Sequence, residues 1–208
     1  MTSTTTRTPL TRDRIIGAAV ILADSGGVEE LSMRKLGAEL GVEAMSLYNH
    51  VEKKDDILDG MIDYVFRAIP LPADDSDWRV AIRETALAAL DQFVEHPWMV
   101  NLLMQRGIYG PSSLRFMDRV IGLFRAAGFS EEDSHHAWQM LASHTMGYAF
   151  QQMSGGEDKD GWESNIPDLS VFPNVAALAP YLAKCEFEVE FAFGLEIIIA
   201  GLAARLEG

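Results

Sequence analysis

The feature that most constrains this chain is a pair of apolar runs, each too short to fold alone, joined through a glycine. In LSMRKLGAELGVEAMSLYNHV, residues 31 to 51, Leu36, Leu40, Val42 and Leu47 are spaced so that two short helices meeting at Gly41 bury their apolar faces on each other and on a preceding helix. Glycine suits the bend because it takes positive φ without steric cost. Ala44, Met45, Ser46, Tyr48, Asn49 and His50 are left outside that packing. A helix with small and polar side chains at its N-terminal end fits a major groove, with Ala44, Met45 and Ser46 at base edges and thymine methyls. Tyr48, His50 and Lys54 then face phosphates, and Arg34 reaches a guanine edge or a phosphate. A compact three-helix unit with no nucleic-acid role shows the same spacing, and the pattern alone leaves both readings open.

The surrounding pattern is helical throughout. Ile15, Ile16, Ala19, Val20 and Leu22 recur near a 3.6-residue period after Thr11, a candidate N-cap, and Gly26 and Gly27 stop the run. Ser32 caps a second helix that ends at Gly41, residues 43 to 50 form a third, and Lys53 opens a fourth running to Ile69. After the Pro and Asp turn LPADDSDW, helical periods resume at 78–95, 98–106, 112–127, 131–153, 175–184 and 186–206. The reading is all-α, about ten helices with no strand. It divides into a disordered arm (1–10), a helix-turn-helix unit (11–52), a connecting helix (53–69) and a larger helical region (70–208). SGGEDKDGWESNIPDLSVFPN, 154 to 174, is too polar and too rich in Gly and Pro to pack and is predicted to be a mobile loop.

Charge separates the same regions. The chain carries a formal −14, yet residues 1 to 54 hold seven Lys or Arg against seven Asp or Glu and balance to zero. Only this first quarter can approach a polyanion without strong repulsion. With no apolar run of signal-peptide or membrane-helix length, and Cys185 as its single cysteine, the chain reads as cytoplasmic and without an internal disulfide.

Other chemistries find weaker support. Glu132-x-x-His135, with His136 and His144 nearby, has the spacing of carboxylate di-metal bundles but no second copy. A helical metal-dependent enzyme built on that cluster is the competing reading. There is no Gly-x-Ser-x-Gly elbow and no phosphate-cradling loop after a strand. No catalytic residue, cofactor or metal site is assigned. Met99, Met104, Phe116, Trp138, Met140 and Met146 fit core filling or a pocket for a bulky apolar guest. In the last helix Phe191, Leu195, Ile198 and Leu202 form a stripe, while Gly194 and Gly201, seven apart, admit a close neighbour. That neighbour is either the chain's own core or a second subunit.

LSMRKLGAELGVEAMSLYNHVEKKDDIL, residues 31 to 58, resembles the N-terminal module of the tetracycline-repressor (TetR) family. Leu40-Gly41-Val42, Leu47-Tyr48-Asn49-His50-Val51 and Lys54 match its motifs in order and spacing. The resemblance implies that Arg34, Ala44, Met45, Ser46 and Asn49 face bases or the groove floor, and that Ser32, Tyr48, His50 and Lys54 anchor phosphates. Gly37 stands where alanine is common, at a cost of about 1 kcal/mol in helix propensity. Residues 110 to 150 are similar to the family's ligand-binding core, and FAFGLEIIIAGL to the last helix of the tetracycline repressors themselves. This implies a ligand-responsive repressor that binds a near-palindromic operator as a homodimer and is released by a small apolar or aromatic molecule. The implied ligand-facing residues are Thr85, Met104, Phe116, Trp138, His144, Gln151 and Leu182, and the implied dimer interface is Phe191, Gly194, Leu195, Ile198, Gly201 and Leu202. A drug-magnesium complex fits poorly: residues 98 to 110 contain no His, and Gln151 stands where a carboxylate ligand is expected.

Overall fold

The computed structural model of the protein describes residues 9–73, 77–107, 110–154, 168–182, 184 and 186–207. Ten α-helices and two 3-10 turns, with no strand, make up the regular structure of those residues. None of the described helices is long and apolar enough to cross a membrane. Contacts divide the chain into two compact units, residues up to 71 with 95–119, and 72–94 with 120 onward. Part of the region assigned from sequence to ligand binding thus folds with the N-terminal helices.

The first unit is built on α1 (Arg12–Gly26) and α4 (Lys54–Ala68), which pack together with Ile16 lying against Gly60; Ile15, Ile16 and Ala19 of the one and Ile57, Met61 and Val65 of the other are buried. Thr11 caps α1 by accepting from the Arg14 N–H. Between them lie α2 (Met33–Leu40) and α3 (Ala44–Leu47). Later in the chain, α6 (Trp98–Arg106) returns to this unit. There the Asp24 carboxylate of α1 accepts hydrogen bonds from His96 Nδ1 at 2.9 Å and Trp98 Nε1 at 2.7 Å. The start of α7 (Pro111–Ala126) is tied to α4 as well. Asp63 accepts from the Ser112 N–H at 2.5 Å, the Ser112 hydroxyl at 2.9 Å and the Ser113 N–H at 3.3 Å. A carboxylate at a helix N-terminus satisfies amides that have no intrahelical acceptor and meets the positive end of the dipole.

The second unit comprises α5 (Trp78–Glu95), the later half of α7, α8 (Glu131–Ser154), α9 (Pro173–Leu182) and α10 (Phe187–Glu207). Trp78, Phe124 and Phe129 form an aromatic cluster with centroids 5.4 to 6.1 Å apart. Arg83 forks onto Glu196, joining α5 to α10 and holding the Glu196 carboxyl below its ordinary range. Residues 155–167 of the predicted mobile loop, and Cys185, lie outside the described residues. The loop's last residues are ordered otherwise than predicted. Asp168 caps the 3-10 turn Leu169–Val171, and α9 begins at Pro173, a residue suited to the first helical position.

The packing of α8 on α10 corrects the dimer stripe. Phe191, Leu195 and Leu202 are buried inside the chain, and Gly194 lies against the His144 ring, which fills the space a Cβ there would need. His144 stacks on Phe191 at 4.7 Å and donates from Nε2 to the Phe191 carbonyl at 3.0 Å. The exposed apolar face of α10 is instead Val189, Phe193 and Ile197, with Gly201 open and Ile198 half-buried at its margin. Because α10 is apolar nearly all round, its periodicity could not tell the inward stripe from the outward one. Gly194→Ala is expected to lower stability by about 1 to 3 kcal/mol through overpacking against His144, outweighing the gain in helix propensity. A urea midpoint below that of the native sequence checks this.

Candidate nucleic-acid interface

Four residues do not make a helix that stands on its own. α3 exists because Leu47 is fully buried where α3 packs on α2, and because hydrogen bonds continue the turn from Ala44 to Val51. The His50 N–H donates to the Leu47 carbonyl at 2.9 Å and the Val51 N–H to the same carbonyl at 3.1 Å. The helix predicted over 43 to 50 is therefore a four-residue helix followed by tight turns. Leu40 and Val42, predicted as core, are only half-buried at the bend.

Two glycines set the approach of α2 to α3. Gly41 takes a left-handed conformation, φ 65°, and its N–H closes α2 by donating to the Ala38 carbonyl at 3.1 Å. Gly37 is buried, and a Cβ there would stand 2.8 Å from the Val42 carbonyl oxygen and 3.1 Å from the Ala44 nitrogen. Its role is thus closer than the propensity argument implies, since the small residue lets the start of α3 lie directly on α2.

What α3 shows to solvent is polar or uncommitted. Met45 is three-quarters exposed, Tyr48 nearly half, and Asn49 and His50 are exposed, while Ala44 and Ser46 are half-buried. Arg34, near the start of α2, is exposed. Ser32 is occupied as the α2 cap, accepting from the Lys35 N–H at 3.3 Å, and its hydroxyl hydrogen stays available for donation. Lys53 and Lys54 are exposed at the start of α4, where Asp56 accepts from the Glu52 N–H at 2.8 Å and the Lys53 N–H at 3.2 Å. All nine residues predicted to meet DNA therefore lie on α2, on α3 with its following turn, or at the α4 start, and none is sealed in the core.

A feature absent from the sequence reading lies on the next turns of α4. Asp55, Asp59 and Asp63 repeat every four residues and face the corner between α6 and α7. Arg106, the last residue of α6, donates from Nε to Asp59 at 2.6 Å and from Nη1 to Asp55 at 3.0 Å. Those hydrogen bonds, to Asp59 first, raise the guanidinium pKa. The i, i+4 spacing of acids was present in the sequence, but nothing there named their partner fifty residues on.

The predicted ligand-facing residues do not converge in one unit. Thr85 and Trp138 are buried in the second unit, His144 is half-buried there and Gln151 is exposed. Phe116 belongs to the first unit, where its ring packs 5.4 Å from Phe66. Met104 is exposed on α6, and the Leu182 side chain lies outside the described residues. Phe116 is buried and Met104 is on the surface of its own unit. Nor do the residues of the metal reading gather. Glu132, His135 and His136 are exposed, His144 is bonded to α10, and the described residues contain no group of three metal-ligating side chains.

Residues 71–206 match the family described as tetracyclin repressor-like, C-terminal domain. The chain is 35% identical over 209 residues to the HTH-type transcriptional repressor DrrR1 of Streptomyces coeruleorubidus, an alignment covering 93% of this chain and 77% of that one. It is 25% identical to the tetracycline repressor protein class E of Escherichia coli, covering 95% of this chain and 93% of that one. Among solved structures it is similar to the Streptomyces coelicolor TetR family protein ActR in complex with actinorhodin, with TM-score 0.81 and 31% identity over 95% of this chain and 99% of that one. Gly37→Ala tests the local geometry by its sign. Propensity alone raises the urea midpoint, whereas the Cβ contact with Val42 is expected to lower it.

Proposed function

The chain belongs to the tetracycline-repressor family of transcriptional regulators, and on that footing we propose that its exposed α3 reads a DNA operator from the major groove. It is a ligand-responsive, DNA-binding transcriptional repressor. The observation that carries the groove assignment is the opposed placement of neighbours, Leu47 fully buried and Met45, Tyr48, Asn49 and His50 exposed. Ala44, Met45, Ser46, Asn49 and Arg34 meet bases or the groove floor. Ser32, Tyr48, His50 and Lys54 meet phosphates.

The functional division is a DNA-binding domain over 11–52, a connecting helix over 53–69 and a ligand-binding and dimerisation domain over 70–208. The protein acts in the cytoplasm as a homodimer, with its two α3 helices in successive major grooves about 34 Å apart. The dimer face on α10 is the exposed one, Val189, Phe193 and Ile197, and not the buried stripe. The effector is a small apolar or aromatic molecule held in the second unit near Thr85 and Trp138. ActR's complex with actinorhodin makes that compound the first probe to try. α4, about 23 Å long, is the lever, since α6 and the start of α7 grip it beyond its phosphate-facing end. A preference of roughly 2.7 kcal/mol for the released state weakens operator affinity a hundredfold.

The test begins with a duplex selected by the native protein from a random-sequence pool. Lys54→Ala is expected to weaken binding to that duplex and to unrelated duplexes alike, and to reduce the salt slope by about one unit; Tyr48→Ala is expected to weaken both as well. Unchanged affinity across several salt concentrations removes the phosphate assignment. Trp138→Phe is expected to leave duplex binding intact while shifting the actinorhodin concentration that releases it; an unshifted midpoint returns Trp138 to the core.

A further inference from the structure

The two lysines that open α4 sit beside an acidic surface. Lys53 Nζ is 3.8 Å from Asp55 Oδ2, and Asp55 and Asp59 continue the same helix away from the exposed Lys54. Each carboxylate side chain is half-exposed or more, 50% for Asp55 and 58% for Asp59. Carboxylates one or two helical turns from a phosphate contact lie within about a Debye length of the backbone, where like charge still repels. A DNA-facing helix end with Lys53 and Lys54 against Asp55, Asp56 and Asp59 carries more negative than positive charge, which leaves little attraction for phosphate.

Arg106 changes that balance. It is a single cation from α6, 23% exposed in its side chain, and bridges both carboxylates. Nε meets Asp59 and Nη1 meets Asp55, while Nη2 adds a long contact of 3.4 Å to the Asp55 carbonyl. Asp63, the third acid of the stripe, is spent on the N-terminus of α7.

We propose that Arg106 is a positioning residue for operator binding that acts as the counter-ion of Asp55 and Asp59, keeping their charge from repelling the phosphates that Lys54 approaches. The proposal rests on the α4 start facing DNA. It gives α6 a route to the operator that runs through charge as well as through position, because withdrawing α6 from α4 uncovers two negative charges at the protein's phosphate-facing end. A purely mechanical latch makes a different demand: there the carboxylates are needed as partners, and losing them is as harmful as losing Arg106.

The experiment measures affinity of the full-length protein, by fluorescence anisotropy, for a duplex that the native sequence selects from a random pool. The variants are Arg106→Gln, the pair Asp55→Asn with Asp59→Asn, and all three changes together. As a counter-ion, Arg106→Gln weakens binding roughly tenfold at 50 mM salt, and the ratio to the native protein shrinks toward one as salt rises. The Asp pair binds as tightly as the native chain or more tightly, and the triple variant recovers most of the loss. Two results overturn the proposal: an Asp pair as weak as Arg106→Gln, or a triple variant that recovers nothing. The Asp pair decides the question even if Arg106→Gln fails to fold, since charge and latch predict opposite signs for it. Failure of the native protein to select any duplex removes the DNA reading itself, and this proposal with it.

Discussion

The full burial of Leu47 where α3 packs on α2 is the constraint on which the rest depends. A four-residue helix has no stability of its own, so α3 holds its shape only while that burial and the close passage of Gly37 under Val42 fix it. Every side chain assigned to DNA on α3 is positioned by this one inward-facing leucine. The arrangement separates two demands on a short sequence: the residues that pack decide where the helix sits, and the residues beside them are free to suit a groove.

α4 carries the consequence of that placement into the rest of the chain. It packs with α1 and buries Ile57, Met61 and Val65, while a second face bears the three aspartates that hold Arg106 and the first amides of α7. One helix thus connects the proposed phosphate contacts to the corner where α6 ends and α7 begins. Because α7 continues as an unbroken helix into the second unit, what α4 holds at one end is covalently part of the domain proposed to take the effector.

The helix-turn-helix was legible from sequence because each of its signals is local. Thr11 and Ser32 cap as expected, Gly41 bends as expected, and Lys53 stands at the start of α4. Helix limits elsewhere fell within a residue or two, since amphipathic periods and Gly or Pro stops are likewise local. The errors arose where the answer lay in another part of the chain. Phe191 and Leu195 were read as an interface because α10 is apolar on both faces, and only the position of His144 shows which face turns inward. Arg106 went unnoticed because a lone arginine at a helix end has no pattern until Asp55 and Asp59 are brought beneath it.

The central claim is that two copies of an outward-held α3 enter one duplex from the same side. Hydroxyl-radical footprinting of the selected duplex examines it directly. Two protected patches are expected on one face of the DNA, centred about one helical turn apart, with the intervening outer face open to cleavage. A single patch, patches on opposite faces, or protection unchanged when α3 is altered at Met45 and Asn49 would contradict it.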